Sequence, residues 1–298
     1  MYDLIIVGGG PGGLTCALYG ARGGLKVLLA EKMAFGGQMN LTDEIHKYPG
    51  FLNIHGYELS EYMANQAKSF GAECIYGEVI KADYKEETKS ITLQDGRTFS
   101  GKAIVFATGA KERSLGVENE ESLVGRGISY CATCDGRFYK NKKVAIVGGG
   151  DTAVADAVYL KRIASKVYLI HRRDTLRSTV STIEKLQDMG IEVILKSKIS
   201  KLVGTDRLTG LIINGEDGEE SIEVDGLFVA IGRIPETKLF SDLLEDGYAF
   251  TDDKCETKIK NVFIIGDVRE KALRQVVTAA GDGAIAGETL VRRKAGIE

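Results

Sequence analysis

Tryptophan is absent from the 298 residues, proline occurs three times, cysteine five times, and no apolar run approaches the length of a membrane-spanning helix. No transmembrane helix is therefore expected. The opening MYDLIIVGGG carries no basic stretch ahead of its apolar residues, so no secretory leader is expected, and a cytoplasmic setting is the default expectation. Five cysteines, an odd number in a long chain, do not make a disulfide scaffold. In a reducing compartment a close cysteine pair reads as catalytic before it reads as structural. Basic charge is not in excess either: a net charge of -3 leaves no footprint for nucleic acid. Few prolines and a hydrophobic fraction of 44% argue against a disordered chain, and the length suggests two domains.

What the chain has in quantity is glycine, 37 residues, and the glycines fall in runs. LIIVGGGPGGLTCALYGARGGLKVLLAEK, 4–32, and VAIVGGGDTAVADAVYLKRIASKVYLIHRR, 144–173, follow one plan. Each is an apolar run, a triple glycine, a stretch with helical spacing and a second apolar run, which is a βαβ unit. Gly8, Gly10 and Gly13 fit the dinucleotide fingerprint, and Gly148, Gly150 and Ala153 repeat it. The first position makes the turn, the second lets a pyrophosphate approach the backbone, and the third lets helix and strand close up.

The two units diverge at the end of the second strand. Glu31 lies 23 residues after Gly8, and His171 lies 23 residues after Gly148. A carboxylate accepts ribose hydroxyls and repels a 2′-phosphate; the arginines of HRRDTLR, Arg172, Arg173 and Arg177, offer forked donors to one. The first site is therefore expected to hold FAD or NAD and the second NADPH. Near the C-terminus an apolar strand ends at Gly266-Asp267, and a helix is expected from about Gln275. If that strand belongs with the first unit, the NADPH domain is inserted into the FAD domain. The expected fold class is α/β with two Rossmann-like domains, 1–112 with 243–298 and 113–242. A double linker of this kind permits rigid-body rotation.

Between the two units stands Cys131-Ala132-Thr133-Cys134. A zinc knuckle needs two more ligands; there is no second C-x-x-C, and the histidines are only His46, His55 and His171, so no metal is expected. Two incidental buried thiols or a redox disulfide remain, and two dinucleotide turns in the same chain favour the latter. Asp135 can shuttle a proton for a dithiol, or it is an ordinary turn residue before Gly136. Cys16, Cys74 and Cys255 are expected to have no catalytic role.

CATCDG, preceded by GGGPGG and followed by GGGDTA, HRRDTLR and GDVREKALRQVVTAAGDGAIA, resembles the low-molecular-weight thioredoxin reductases, in order and over essentially the whole chain. The resemblance implies a homodimeric flavoenzyme using FAD and NADPH to reduce thioredoxin, while charge and hydropathy lead to the expectation of no nucleic-acid or membrane partner. It implies that Cys134 lies against the flavin, that Cys131 attacks the partner and that Asp135 is the acid. It places Glu31, Gly36, Gly37, Gln38, Asp267, Arg274, Gln275 and Val276 at FAD, and Asp151, Thr152 and His171 with the second turn at NADPH. Arg126, Arg137 and Phe138 match positions that meet thioredoxin. The chain departs from the family's pattern at Ala155, where a Glu is usual, at Arg137, where an aromatic is usual, and at Lys47, where an Asn is common. Three other readings stand beside it: a ferredoxin-dependent relative, whose NADPH motif would be degraded; the reductase of a peroxidase system, which would carry an extra N-terminal domain; and a flavin-binding redox sensor without steady turnover.

Overall fold

The computed structural model describes residues 1–42, 44–176, 180–216, 218–245 and 247–297. The chain divides into two compact units, Met1–Lys111 with Pro235–Glu298, and Glu112–Ile234. The first is therefore discontinuous, as the order of motifs suggests. The second crossing lies before 235, ahead of the expected boundary at 243. The reason is packing: Phe240 is fully buried and meets Phe106 with ring centroids 4.6 Å apart, and Tyr84 donates a hydrogen bond to Asp242, so this stretch belongs to the core of the first unit.

In the first unit Tyr2–Val7 lies at the centre of a sheet, parallel to Val27–Glu31 on one side and to Thr98–Phe106 on the other. Glu73–Tyr76 extends it beyond Val27–Glu31, Val262–Ile264 pairs with the end of Thr98–Phe106, and Lys89–Leu93 and Val79–Asp83 add an antiparallel edge. Parallel strands covered on both faces read as unbroken apolar runs. Accordingly Leu4, Ile6, Leu29 and Val105 pack into one core, and Ile5, Val7, Leu28, Ile104 and Phe106 into another. Helix Pro11–Arg22 and the long helix Val276–Lys294 cover the first of these faces.

In the second unit Ile128–Ser129, Gly226–Val229, Lys143–Val147, Lys166–Ile170 and Ile191–Ile194 form a parallel sheet in that order. Helix Asp151–Lys161 makes the crossover from Lys143–Val147 to Lys166–Ile170. A three-stranded antiparallel sheet, Lys198–Val203, Gly210–Gly215 and Gly218–Glu223, completes the unit. Among the described residues no helix is long and apolar enough to cross a membrane.

Asp3 ties three parts of the first unit together. Its carboxylate accepts from the Lys26 amide at 3.0 Å and pairs with Lys102 at 3.1 Å and Lys294 at 2.9 Å. Burial alone would raise its pKa, but these donors outweigh it and hold the carboxyl down at about 2. A depressed carboxyl contributes stability that is complete above its unfolded pKa of about 4 and lost as pH falls through the folded value. Asp3→Asn is expected to cost on the order of 1–2 kcal/mol at neutral pH, with solvent screening of the lysines allowed for. Urea unfolding at pH 7 and at progressively lower pH checks this; the gap between variant and wild type should close on acidification from about pH 4.

Candidate functional site

The glycine turns of the two units are built alike, bond for bond. Gly8 N–H donates to Ala30 O at 2.9 Å, and Gly148 N–H to Ile170 O at 3.0 Å. A Cβ on Gly8 would lie 2.4 Å from Ala107 O, and one on Gly148 would lie 2.4 Å from Ala230 O. Gly9 is covered by the side chain of Glu31, and Gly149 by the ring of His171. The residues that distinguish the two motifs in sequence thus occupy the same place in space. Above Gly10 and Gly150 a Cβ would meet nothing within 4 Å, which leaves the second glycine of each turn open to a ligand at the start of a helix.

In the first unit Glu31 is buried, and both of its oxygens are engaged: Oε2 accepts from Gly9 N–H at 2.7 Å and Oε1 from Met33 N–H at 2.9 Å. Each oxygen keeps a second lone pair for a hydroxyl. Gly36 N–H donates to Gly9 O at 2.7 Å, and Gly37 faces the Gly10 Cα, so the GGQ stretch is folded onto the turn. A side chain on Gly36 would collide with Ser60 Oγ, and its φ of 108° suits glycine alone. Gln38 is exposed and donates to Ala110 O. Asn40, missed in the sequence, has its Oδ1 buried with no hydrogen-bond partner among the described residues, while its Nδ2 donates to Phe35 O at 2.9 Å. It lines a cavity of about 510 Å³ with Leu41, Thr42, His55, Tyr57 and Glu58.

The C-terminal motif joins this cluster because Pro11–Arg22 and Val276–Lys294 touch at backbone distance. A Cβ on Gly12 would be 3.1 Å from Ala279 O, and one on Gly283 would be 2.2 Å from Gly12 O. Asp267 sits in the short turn Gly266–Val268 ahead of that helix. The loop between is clamped by Asp282, a second residue the sequence did not single out. Its buried carboxylate accepts from Gly266 N–H at 2.9 Å and from Lys271 Nζ at 2.7 Å. Arg274 folds back on the same loop, donating to Asp267 O at 3.3 Å and pairing with Glu270 at 3.5 Å. The Gln275 side chain is engaged in a capping box with Thr278, and Val276 opens the helix.

In the second unit His171 is half-buried, and Arg172 and Arg173 present exposed side chains; the Arg173 carbonyl is pinned by Lys196 N–H at 3.0 Å. Asp151 and Thr152 are exposed in the first turn of the crossover helix. Arg177 lies outside the described residues. Ala153 stands where Gly13 stands in the first unit, 2.7 Å from the position of a Gly148 Cβ.

Cys131 and Cys134 form a disulfide, with Cα atoms 5.2 Å apart. Both are partly accessible, at the start of the short helix Ala132–Asp135. Cys134 and Asp135 both donate backbone N–H to Cys131 O at 3.1 Å. The segment is held from below by Glu120, whose buried carboxylate accepts from Leu115 N–H, Gly116 N–H and, at 2.7 Å, from Tyr130 OH. Burial first, and then the Glu120 carboxylate, pushes the Tyr130 phenol up. Arg126, Arg137 and Phe138 are exposed. Among the described residues no group of His, Cys, Asp and Glu could hold a metal.

The other thiols differ in kind. Cys16 and Cys255 are fully buried, and burial pushes both up, Cys255 to about 11. Cys74 is raised by burial as well. Thiols this reluctant to ionise are poor nucleophiles. Cys255, in a stretch that reads as a polar loop, takes a left-handed backbone and accepts from Arg269 Nη1 at 2.8 Å.

Residues 2–283 match the family described as pyridine nucleotide-disulphide oxidoreductase. The chain is 44% identical to a thioredoxin reductase of Listeria monocytogenes over 97% of its own length and 92% of the relative's. It is 41% identical to that of Bacillus subtilis, over 97% and 94%. The crystal structure of a thioredoxin reductase from Streptococcus pyogenes matches with a TM-score of 0.89 and 40% identity, covering 99% of both chains.

Proposed function

We infer the function from one premise: the chain belongs to the pyridine nucleotide-disulphide oxidoreductase family. Within it, this is an NADPH-dependent thioredoxin-disulfide reductase that uses FAD. The observation that carries this reading is the Cys131–Cys134 disulfide, in a chain whose two dinucleotide turns end on different chemistry.

The residues of the first unit fit FAD. Gly10 leaves room for a pyrophosphate, Glu31 has lone pairs for ribose hydroxyls, Asp267 in the turn after the last strand would accept from a polyol chain, and Asn40 Oδ1 is a buried acceptor. Gly36 and Gly37 close the backbone over the turn. Held there, FAD would supply the hydride acceptance and electron-pair transfer that link NADPH to a disulfide. In the second unit Gly148 and Gly150 shape the turn, Asp151 and Thr152 begin the helix behind it, and His171 with the exposed guanidinium groups of Arg172 and Arg173, at the end of the second strand, would hold an adenosine 2′-phosphate.

Once the pair is reduced, the Cys131 thiolate attacks a sulfur of the thioredoxin disulfide. That bond breaks, a mixed disulfide forms, and the departing thioredoxin thiolate takes a proton from Asp135. The Cys134 thiolate then attacks the Cys131 sulfur, the Cys131–Cys134 bond reforms, and the second thioredoxin thiolate leaves. Arg126, Arg137 and Phe138 are the surface that receives thioredoxin. The enzyme works as a homodimer in the cytoplasm.

Mixing purified protein with coenzyme tests the reading. NADPH should bleach a flavin spectrum, and steady oxidation should follow on adding thioredoxin disulfide. In Arg172→Ala/Arg173→Ala the KM for NADPH should rise about 10–100-fold, as expected for lost charge-assisted bonds, with NADH kinetics little changed. Equal rates with NADH and NADPH in the wild type would remove the argument for the 2′-phosphate.

A further inference from the structure

We propose that Ser129 is a positioning residue that fixes the carboxyl of Asp135 relative to the Cys131–Cys134 pair. Ser129 is buried and lies on Ile128–Ser129, paired with Leu227 and Phe228 of the sheet, so its backbone is held by the core of the second unit. Its hydroxyl lies within hydrogen-bond distance of three groups, the most distant being Cys131 O at 3.4 Å. Oγ accepts from Cys131 N–H at 3.0 Å and donates to Asp135 Oδ2 at 2.5 Å. One oxygen thus bridges the backbone of one cysteine and the carboxyl that follows the other. The helix that carries Asp135 is four residues long and offers little rigidity of its own. The sheet supplies the rigidity through Ser129.

This inference rests on the reading of Asp135 as the acid for the departing thioredoxin thiolate. A hydrogen bond donated to a carboxylate favours the charged form, so Ser129 tunes the acid as well as aiming it. Among the described groups, Tyr139 on the following turn faces Asp135, and Asp225 and Arg207 lie near the Tyr139 ring; Arg137 sits on the same turn. Burial, and then Asp135, pushes the Tyr139 phenol up to about 12, so it stays neutral over the working range. Without the serine the carboxyl loses this donor: its own proton is held more tightly, and its charge, less firmly aimed, bears more on the thiols and disfavours their ionisation. Acid and nucleophile then titrate at higher pH together.

The test compares flavin-loaded wild type, Ser129→Ala and Ser129→Thr. For Ser129→Ala, kcat/KM with thioredoxin disulfide is expected to fall about tenfold, and its bell-shaped pH profile to move up by about one unit. Ser129→Thr, which keeps the hydroxyl, should restore both to within about threefold of wild type. NADPH oxidation by ferricyanide, which bypasses the cysteines, reports that all three are folded and loaded. In a second arm each protein is reduced with dithiothreitol, and alkylation by iodoacetamide is followed against pH; the Ser129→Ala midpoint should lie higher. Superimposed profiles in both arms, or a threonine variant no better than alanine, overturn the proposal. If the wild type fails to turn over thioredoxin, the functional reading fails, while the alkylation arm still decides whether Ser129 acts on the thiols.

Discussion

Cys134→Ser abolishes the reduction of thioredoxin disulfide, by about 10³-fold or more, while NADPH-dependent reduction of ferricyanide continues. Only a dithiol returning to a disulfide can give two electrons to a partner disulfide, and the structure contains one disulfide among its described residues, Cys131–Cys134. Cys16 and Cys255 cannot substitute, because both are buried and hold their protons far above neutral pH. With a hydroxyl in place of the second thiol, the Cys131 thiol can still attack thioredoxin. The mixed disulfide it forms has no second thiol to resolve it, so a covalent adduct accumulates and can be seen by mass spectrometry without reductant. Cys131→Ser should form no such adduct at that sulfur, and the contrast assigns the two roles. The substitution should not unfold the protein: closing so short a loop is worth about 2 kcal/mol by chain entropy. A Cys134→Ser protein that turned over thioredoxin at near the wild-type rate would place the redox centre elsewhere.

The parts of the site that could be read from the sequence are those whose spacing is local. A turn, a helix and the next strand place Gly8 and Glu31, or Gly148 and His171, at a fixed separation, and the structure sets Glu31 on Gly9 and His171 on Gly149 as that spacing requires. The supporting residues depend on tertiary packing, which leaves no local pattern. Ser129 gains meaning only once the helix after Cys131 folds back on it. Asp282 reads as one polar residue in a helix rich in small side chains, and becomes a clamp only when Gly266 and Lys271 are brought over it. Cys255 sits among Asp, Lys and Glu, yet is buried, because the chain turns its side chain into the core shared with Cys16. The 235–242 stretch looks like a linker, and Phe240 makes it core.

Gly13→Ala is expected to destabilise the protein strongly even without cofactor, whereas Gly10→Ala is expected to leave the apo fold intact and weaken FAD binding. The two glycines belong to one motif but answer to different neighbours. A Cβ on Gly13 would lie 1.9 Å from Gly8 O, so helix Pro11–Arg22 would have to lift off the turn. The second unit does carry an alanine at this position, Ala153, which shows that a βαβ unit can be built with the wider spacing. The first unit has no such freedom. Its helix is pressed from the other side by Val276–Lys294, where a Cβ on Gly283 would be 2.2 Å from Gly12 O and one on Gly287 would be 3.0 Å from Cys16 O. The helix is held between two backbone contacts, and relief at one tightens the other. Overpacking of this kind costs about 1–3 kcal/mol and can cost more where backbone is the obstacle. Gly10 is the opposite case, since a Cβ there meets nothing within 4 Å and fills only the space a pyrophosphate would use. Thermal unfolding of the apo proteins, with FAD titration followed by flavin fluorescence, separates the two effects. An apo Gly13→Ala melting within about 1 °C of wild type would mean the helix can shift after all, since even 1 kcal/mol should move the midpoint by more than that.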